Sequence, residues 1–224
     1  MRVSVALSVW NGEPHVADAV ASVLRQLGDD DELVVVDDGS TDGTLDALAP
    51  FGNRIRLIRE PHRGLSASRN TSLDACRGRY QSFIDADDRW APGALAALLE
   101  ALETDVTTDV VVGLADEFLD ETVHDRRAAG LREPQQGVRG WFMGSMLARR
   151  AVFDEVRFEE DRPMAITTDW LARARSSGVR FGLVDQVILE RRLHAHNMTK
   201  DGGSYHQALL ESLRANLDRT RPSR

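Results

Sequence analysis

The stretch Tyr80-Gln-Ser-Phe-Ile-Asp85-Ala-Asp87-Asp88 carries an apolar run into three carboxylates within four positions. Uncompensated carboxylates are expensive to bury, so the cluster must face solvent or hold a cation. Asp85 and Asp87 stand two apart at a strand exit, where two oxygens can converge on one hard metal ion. The same residues, followed by Ala91-Pro-Gly93, would also suit an ordinary turn. A second acidic exit is Asp37-Asp38, at the end of Leu33-Val-Val-Val36. A carboxylate there can accept hydrogen bonds from sugar hydroxyls or a pyrimidine N–H, or simply cap a helix. The chain has no G-x-G-x-x-G after its first apolar run and no G-x-x-x-x-G-K-[ST], so the usual dinucleotide and triphosphate loops are absent. Any bound nucleotide needs its phosphates neutralised by other means, and a metal on Asp87 with Arg69 nearby would do so.

The elements that must position these groups can be read from periodicity. Val3 to Val9 is a buried first strand, broken at Asn11-Gly12, with a helix following Pro14. Glu32 to Asp37 is a second strand, nearly all apolar, as expected of a central parallel strand covered on both faces. Ile55 to Ile58 is a short third strand, and Gly64-Leu-Ser-Ala-Ser-Arg69-Asn70 opens a helix running to about Cys76. Tyr80 to Asp85 is the fourth strand, Pro92 to Glu103 a helix with Leu95, Leu98, Leu99 and Leu102 on one face, and Asp109 to Leu114 a fifth strand. Residues 115–127 are expected to add antiparallel pairing, and 128–140 to form a loop that serves as a mobile lid. A helix from about Ala165 ends at Gly178, strands follow over 179–184 and 187–193, and 206–217 is an amphipathic closing helix. Alternating strands and helices imply a mostly parallel, doubly wound α/β sheet, whose ligands bind beyond the carboxyl ends of the strands. Trp10-Asn11, Asp37-Asp38 and Asp85 to Asp88 are then expected at one mouth.

The bulk composition narrows the function classes. The 224 residues suit one domain, and the net charge of -8 argues against a nucleic-acid partner. Of the 28 basic residues only Lys200 is a lysine, so anion contacts fall to arginine and backbone amides. The single cysteine, Cys76, permits no intrachain disulfide, and Val3 to Trp10 is too short for a transmembrane segment; a cytoplasmic location is expected. The arginine pairs at 126–127, 149–150 and 191–192 are expected on the surface, where they could meet an anionic acceptor or make peripheral membrane contact.

Four linked stretches resemble family 2 glycosyltransferases of the GT-A fold. These are Ser4-Val-Ala-Leu-Ser-Val-Trp10-Asn11-Gly12-Glu13, Val35-Val-Asp37-Asp38-Gly39-Ser40-Thr41-Asp42-Gly43-Thr44, Gly64-Leu-Ser-Ala-Ser-Arg69-Asn70 and Phe83-Ile-Asp85-Ala-Asp87-Asp88. Phe142-Met-Gly144-Ser145, Thr168-Asp169-Trp170 and Arg192-Leu-His194-Ala-His196-Asn-Met-Thr199 fit more loosely. The resemblance implies a single GT-A domain over 1–224, with 1–114 as the nucleotide-sugar part, 115–200 as the acceptor side and 201–224 as a C-terminal helix. It implies that Trp10, in place of the family's Tyr, and the Val9 backbone meet the nucleobase. Asp38 would bind base or ribose, Arg69 the nucleotide and Asp85 the ribose, while Asp87 and His194 would hold Mn2+ or Mg2+ on the diphosphate. Asp88, Gly144 and Ser145 would touch substrate, and Asp169 would be the catalytic base, although Thr168 replaces the neighbouring Glu of the family pattern. The implied activity is inverting, metal-dependent transfer from a nucleotide-diphosphate sugar, UDP-linked, to an unknown hydroxyl acceptor in glycan or cell-surface polysaccharide synthesis. A catalytically silent sugar-nucleotide binder or partner subunit is the alternative.

Overall fold

The computed structural model describes residues 1–161, 165–195 and 197. The expected closing helix over 206–217 and His196 lie outside the described residues. The sheet is built from β1 (Val3–Val9), β2 (Glu32–Asp37), β3 (Arg56–Arg59), β4 (Tyr80–Asp85), β5 (Arg89–Trp90), β6 (Val110–Leu119), β7 (Met146–Arg149) and β8 (Phe181–Leu193). Their spatial order is β3-β2-β1-β4-β7-β6-β8-β5. β3, β2, β1 and β4 run parallel, and the sheet turns antiparallel where β7 enters between β4 and β6.

The alternation along β1 explains its central place. Val3, Val5, Leu7 and Val9 point to one face, where they pack with Val16 and Val20 of α1 (Val16–Leu24) and Leu95, Leu98 and Leu102 of α4 (Ala94–Thr104). Ala6 points to the other face, with Val34, Phe83 and residues of α3 (Leu65–Ala75), α5 (Arg150–Glu155) and α6 (Ile166–Ser176). Residues 44–48 form the short α2. On the second face Trp170 is fully buried, stacks on Phe153 at 5.0 Å and donates its indole N–H to the Val156 carbonyl at 2.8 Å. Truncating such a residue to Ala costs about 3–5 kcal/mol, so this cluster anchors α6 to the sheet.

The expectations beyond residue 114 are refined at two points. Residues 115–119 continue β6 and pair in parallel with Leu189–Leu193 of β8, beside the antiparallel pairing expected there. The one antiparallel contact described there is the bridge between Ala115 and Val138. The two expected strands at 179–184 and 187–193 are one strand, because shifts in register between Val112 and Ala115 absorb the break at Asp185-Gln186. Gly113 makes this possible: a Cβ there would stand 2.1 Å from Ile188 Cγ1.

The expected lid is tied down along 131–139. Arg132 pairs with the buried Glu117, the Glu117 amide donates to Gln135 O at 2.8 Å, Gly137 N donates to Asp116 Oδ1 at 2.7 Å, and Arg139 pairs with Asp185 at 2.8 Å. The arginine pairs are likewise largely internal ties: Arg149 bonds the carbonyls of Thr108 and Leu102, and Arg191 pairs with Glu117. No described helix is long and apolar enough to cross a membrane.

Candidate active site

Parallel pairing aligns the carboxyl ends of β1, β2 and β4, with Val9 opposite Asp37 and Ser8 opposite Asp85. The loops leaving β1 and β2 are stitched together. Asn11, at φ 52, receives a bond from Thr41 N on its Oδ1 (2.8 Å) and donates its own amide to Ser40 Oγ (2.9 Å). Gly12 is required here, because a Cβ would lie 2.5 Å from Val9 Cγ2. Asp37 is buried and accepts from Ser40 N at 3.0 Å, so it shapes the loop.

Asp38 is also buried, and both its carboxylate oxygens are engaged. Oδ1 accepts from Arg63 N at 2.8 Å; Oδ2 accepts from Gly64 N at 2.9 Å and lies 2.9 Å from His62 Nδ1. The 62–64 loop is thereby drawn over the end of β2, and His62 stacks on the exposed Trp10 with ring centroids 4.3 Å apart. Gly39, at φ 74, fits only as glycine, since a Cβ would meet His62 N at 2.7 Å.

On the β4 side, Arg69 of α3 is buried and donates to Asp85 Oδ1 at 2.7 Å, with its guanidinium beside the edge-to-face rings of Phe83 (5.7 Å) and Phe158 (5.5 Å). Asn70 beside it clamps the Phe158 backbone through both amide atoms, at 2.9 and 3.1 Å. Asp87 Oδ2 lies 2.9 Å from His194 Nε2 and 3.4 Å from Asn197 Nδ2. Burial alone would raise the Asp87 carboxyl, but its bond to His194 and the charge of that imidazole hold it below the usual range. Asp88 behaves in the opposite way: burial first, then the charges of Asp87 and Asp85, push its carboxyl well above the usual range. Its Oδ1 accepts from Arg192 N at 2.9 Å, so the side chain is directed into the protein and holds β8 to this loop.

Arg192 is the hub of the mouth. It is buried, donates through Nε to the Asp87 carbonyl (3.0 Å), and pairs with Asp120 (3.0 Å) and Asp18 (3.1 Å). His15 approaches the same Asp120 oxygen at 3.6 Å and faces His194 at 5.2 Å. The expected substrate residues Gly144 and Ser145 lie inside instead. Ser145 donates to Phe142 O at 3.0 Å, Gly144 O accepts from the Trp90 indole at 2.9 Å, and a Cβ on Gly144 would strike Leu189. Asp169, in the first turn of α6, is 1% exposed and accepts from Arg173 Nε at 2.8 Å. Arg173 also binds Arg157 O, and Arg157 binds Asn70 O, so α6 is linked to the Arg69–Asn70 turn.

Residues 4–172 match the sequence profile of glycosyl transferase family 2. The chain belongs to that family. Among family members, the uncharacterized glycosyltransferase EpsJ of Bacillus subtilis is 26% identical over 222 residues, covering 88% of this chain and 63% of its own length. The putative teichuronic acid biosynthesis glycosyltransferase TuaG of the same organism is 38% identical over 102 residues, covering 44% of this chain and 40% of its own. The chain therefore spans less than two thirds of these family relatives. The solved structure of Staphylococcus aureus TarS residues 1–349 with UDP-GlcNAc superposes with a TM-score of 0.73 at 19% identity, covering 96% of this chain and 65% of that one. The likeness establishes the fold: the mostly parallel α/β sheet expected from the sequence is that of the family's GT-A architecture.

A divalent cation fits this family member's donor set in part. Asp87 would supply a hard carboxylate oxygen and His194 an imidazole nitrogen, now 2.9 Å apart and bonded to each other; the carboxylate suits Mn2+ or Mg2+ and the imidazole the softer Mn2+. Among the described residues no three His, Cys, Asp or Glu side chains gather around one ion position. Such a cation would complete its shell with water or ligand phosphate, as Mg2+ does at other phosphate sites. Sequence reasoning passed over His62, Asn70, Arg192 and Asp120, because each acts through a partner distant in the chain. The available signals were Asn70, which closes the Gly64 to Asn70 stretch, and Arg192, two residues before His194 in the loosely matching C-terminal stretch.

Proposed function

We propose that this chain is an inverting, divalent-cation-dependent glycosyltransferase, with a uridine diphosphate sugar as donor and a hydroxyl of a glycan or cell-surface polysaccharide as acceptor. The observation that carries the reading is the meeting of Asp85–Arg69 and Asp87–His194 at the aligned exits of β1, β2 and β4. An acidic mouth whose two buried arginines, Arg69 and Arg192, are already paired with carboxylates suits a diphosphate accompanied by a cation and repels a free polyanion. The structurally similar TarS is a complex with UDP-GlcNAc, and TuaG is named for teichuronic acid biosynthesis; both support the donor and acceptor classes.

Asp87 and His194 would hold the cation, which supplies neutralisation of charge developing on the leaving diphosphate. Arg69, preset against two phenyl rings, offers a second fixed positive charge. Asp169 is the carboxylate assigned to take the acceptor proton, and to do so it must exchange Arg173 for the acceptor hydroxyl. Attack from the face opposite the leaving group, assisted by one base, inverts the anomeric carbon. The burial of Asp169 also favours a second reading, a sugar-nucleotide binder without turnover. Donor hydrolysis and transfer with UDP-, GDP- and TDP-sugars, with and without Mn2+, test both. Turnover lost in Asp87→Ala supports the enzyme, binding without turnover supports the binder, and equal metal-independent turnover in both proteins refutes the assignment.

A further inference from the structure

Asp169 cannot meet an acceptor where it stands. Its carboxylate is buried, and Arg173, one turn further along α6, donates Nε to its Oδ2 at 2.8 Å. The other contacts of that guanidinium show where it can go. Nη1 donates to the Arg157 carbonyl at 2.7 Å. Nη2 is buried and has no hydrogen-bond partner, so the resting arrangement leaves strong donors unused. A second carboxylate stands just beyond bonding distance: Glu159 Oε1 is 3.8 Å from Nε, and its side chain is half-exposed. Exchanging Asp169 for Glu159 trades one charge-assisted bond for another. A guanidinium that faces a carboxylate squarely makes two parallel bonds, so the exchange can also bring Nη2 into use. The bond from Nη1 to Arg157 is the natural pivot.

We infer that Arg173 is a latch on the base: paired with Asp169 it withholds the carboxylate, and by moving to Glu159 it releases it. This rests on the assignment of Asp169 above and adds to it two positioning residues that decide when the base is available. The reaction a latch must suppress is loss of the donor to water. There the water oxygen bonds to the anomeric carbon and its proton passes to Asp169. The bond from that carbon to the diphosphate oxygen breaks, with the electron pair staying on the diphosphate. A closed latch denies water the base, and an acceptor that displaces the arginine opens it.

The test is hydrolysis of UDP-GlcNAc, UDP-glucose, GDP-mannose and TDP-glucose with Mn2+, read as nucleotide release, beside calorimetric binding of UDP, GDP and TDP. Arg173→Met is expected to raise hydrolysis of the best donor about tenfold, the weight of one charge-assisted hydrogen bond. Arg173→Lys keeps the charge and is expected to stay within about threefold of wild type. Glu159→Gln removes the receiving carboxylate and is expected to lower hydrolysis about threefold, in keeping with a half-exposed pair, with Tm within about 2 °C of wild type. Opposite effects from two partners of one guanidinium are not produced by damage to packing, which only lowers a rate. The rise must vanish in the double variant Arg173→Met, Asp169→Asn. A rate in Arg173→Met no higher than wild type, or a rise that persists without the Asp169 carboxylate, overturns the latch. Should Arg173→Met fail to fold, Glu159→Gln decides alone, and an unchanged rate there overturns the latch. A wild type that binds one of the nucleotides while neither it nor Arg173→Met hydrolyses any donor overturns the latch and leaves the donor reading standing. A wild type that binds none of the three nucleotides overturns both.

Discussion

Replacing Arg192 by methionine isolates the hub of the mouth. Methionine keeps most of the stem that lies along Phe118, whose ring is 4.8 Å from the guanidinium, and removes the charge. The largest loss is at Asp120, which is buried and keeps its negative charge without its 3.0 Å partner. Breaking a buried pair from one side costs about 3–5 kcal/mol. The Asp18 contact adds little, because that carboxylate is 60% exposed and screened. The Asp87 carbonyl loses a donor at 3.0 Å, but in the same network, so its contribution is not simply additive. For a domain of this size, each kcal/mol lowers Tm by about 2–4 °C, giving an expected drop of about 6–20 °C by thermal circular dichroism. The double variant Arg192→Met, Asp120→Asn is expected to regain about half of that, because the buried charge left with only Thr122 and His15 is gone. Mn2+ affinity, read by the loss of the free-ion paramagnetic signal, is expected to fall as the Asp87 backbone loosens. A single variant that melts within about 2 °C of wild type would refute the hub, and a double variant no better than the single would refute Asp120 as its source.

Asp169→Asn is expected to lower transfer by at least about 100-fold while leaving UDP affinity within about threefold, measured by coupled nucleotide release and calorimetry. Asp88→Asn is expected to melt within about 2 °C of wild type and to keep donor binding, because a carboxyl pushed up by burial and by Asp87 and Asp85 already resembles the neutral amide. Stability should fall on acidification from about pH 4 to about pH 2, because Asp105 and Asp120 titrate at about 2 in the folded chain. At Asp105 the hydroxyls of Thr107 and Thr108 lower the carboxyl; at Asp120 burial acts upward but Thr122 and Arg192 prevail. Both pKa values lie below the ordinary 3.8, so their stabilisation is full above that pH and lost below it. Urea midpoints that stay level across this window would contradict the depressed values.

What could be read from the sequence was whatever depended on neighbours along the chain. β1, β2 and β4 contain apolar runs, such as Leu33 to Val36, that must be buried on both faces, and their acidic exits follow from strand polarity alone. The direction of the Asp38 carboxylate could not be read, because its partners arrive on a loop 24 to 26 residues later. Asp88 looked like part of an exposed acidic cluster until β8 placed the Arg192 amide against it from 104 residues away. The ties along 131–139 were illegible for a similar reason. The low periodicity of that stretch was plain, but nothing local announced that Glu117 would turn inward and hold Arg132 and Arg191 together.

The setting of Arg69 has one further consequence. A long side chain free in water surrenders much of its rotational freedom when it grips an anion, and that loss weakens the grip. Here two phenyl rings and Asp85 immobilise the guanidinium before any ligand arrives, so the ordering penalty falls on folding and not on capture. On the proposed function, a diphosphate would meet a charge that is already held in place.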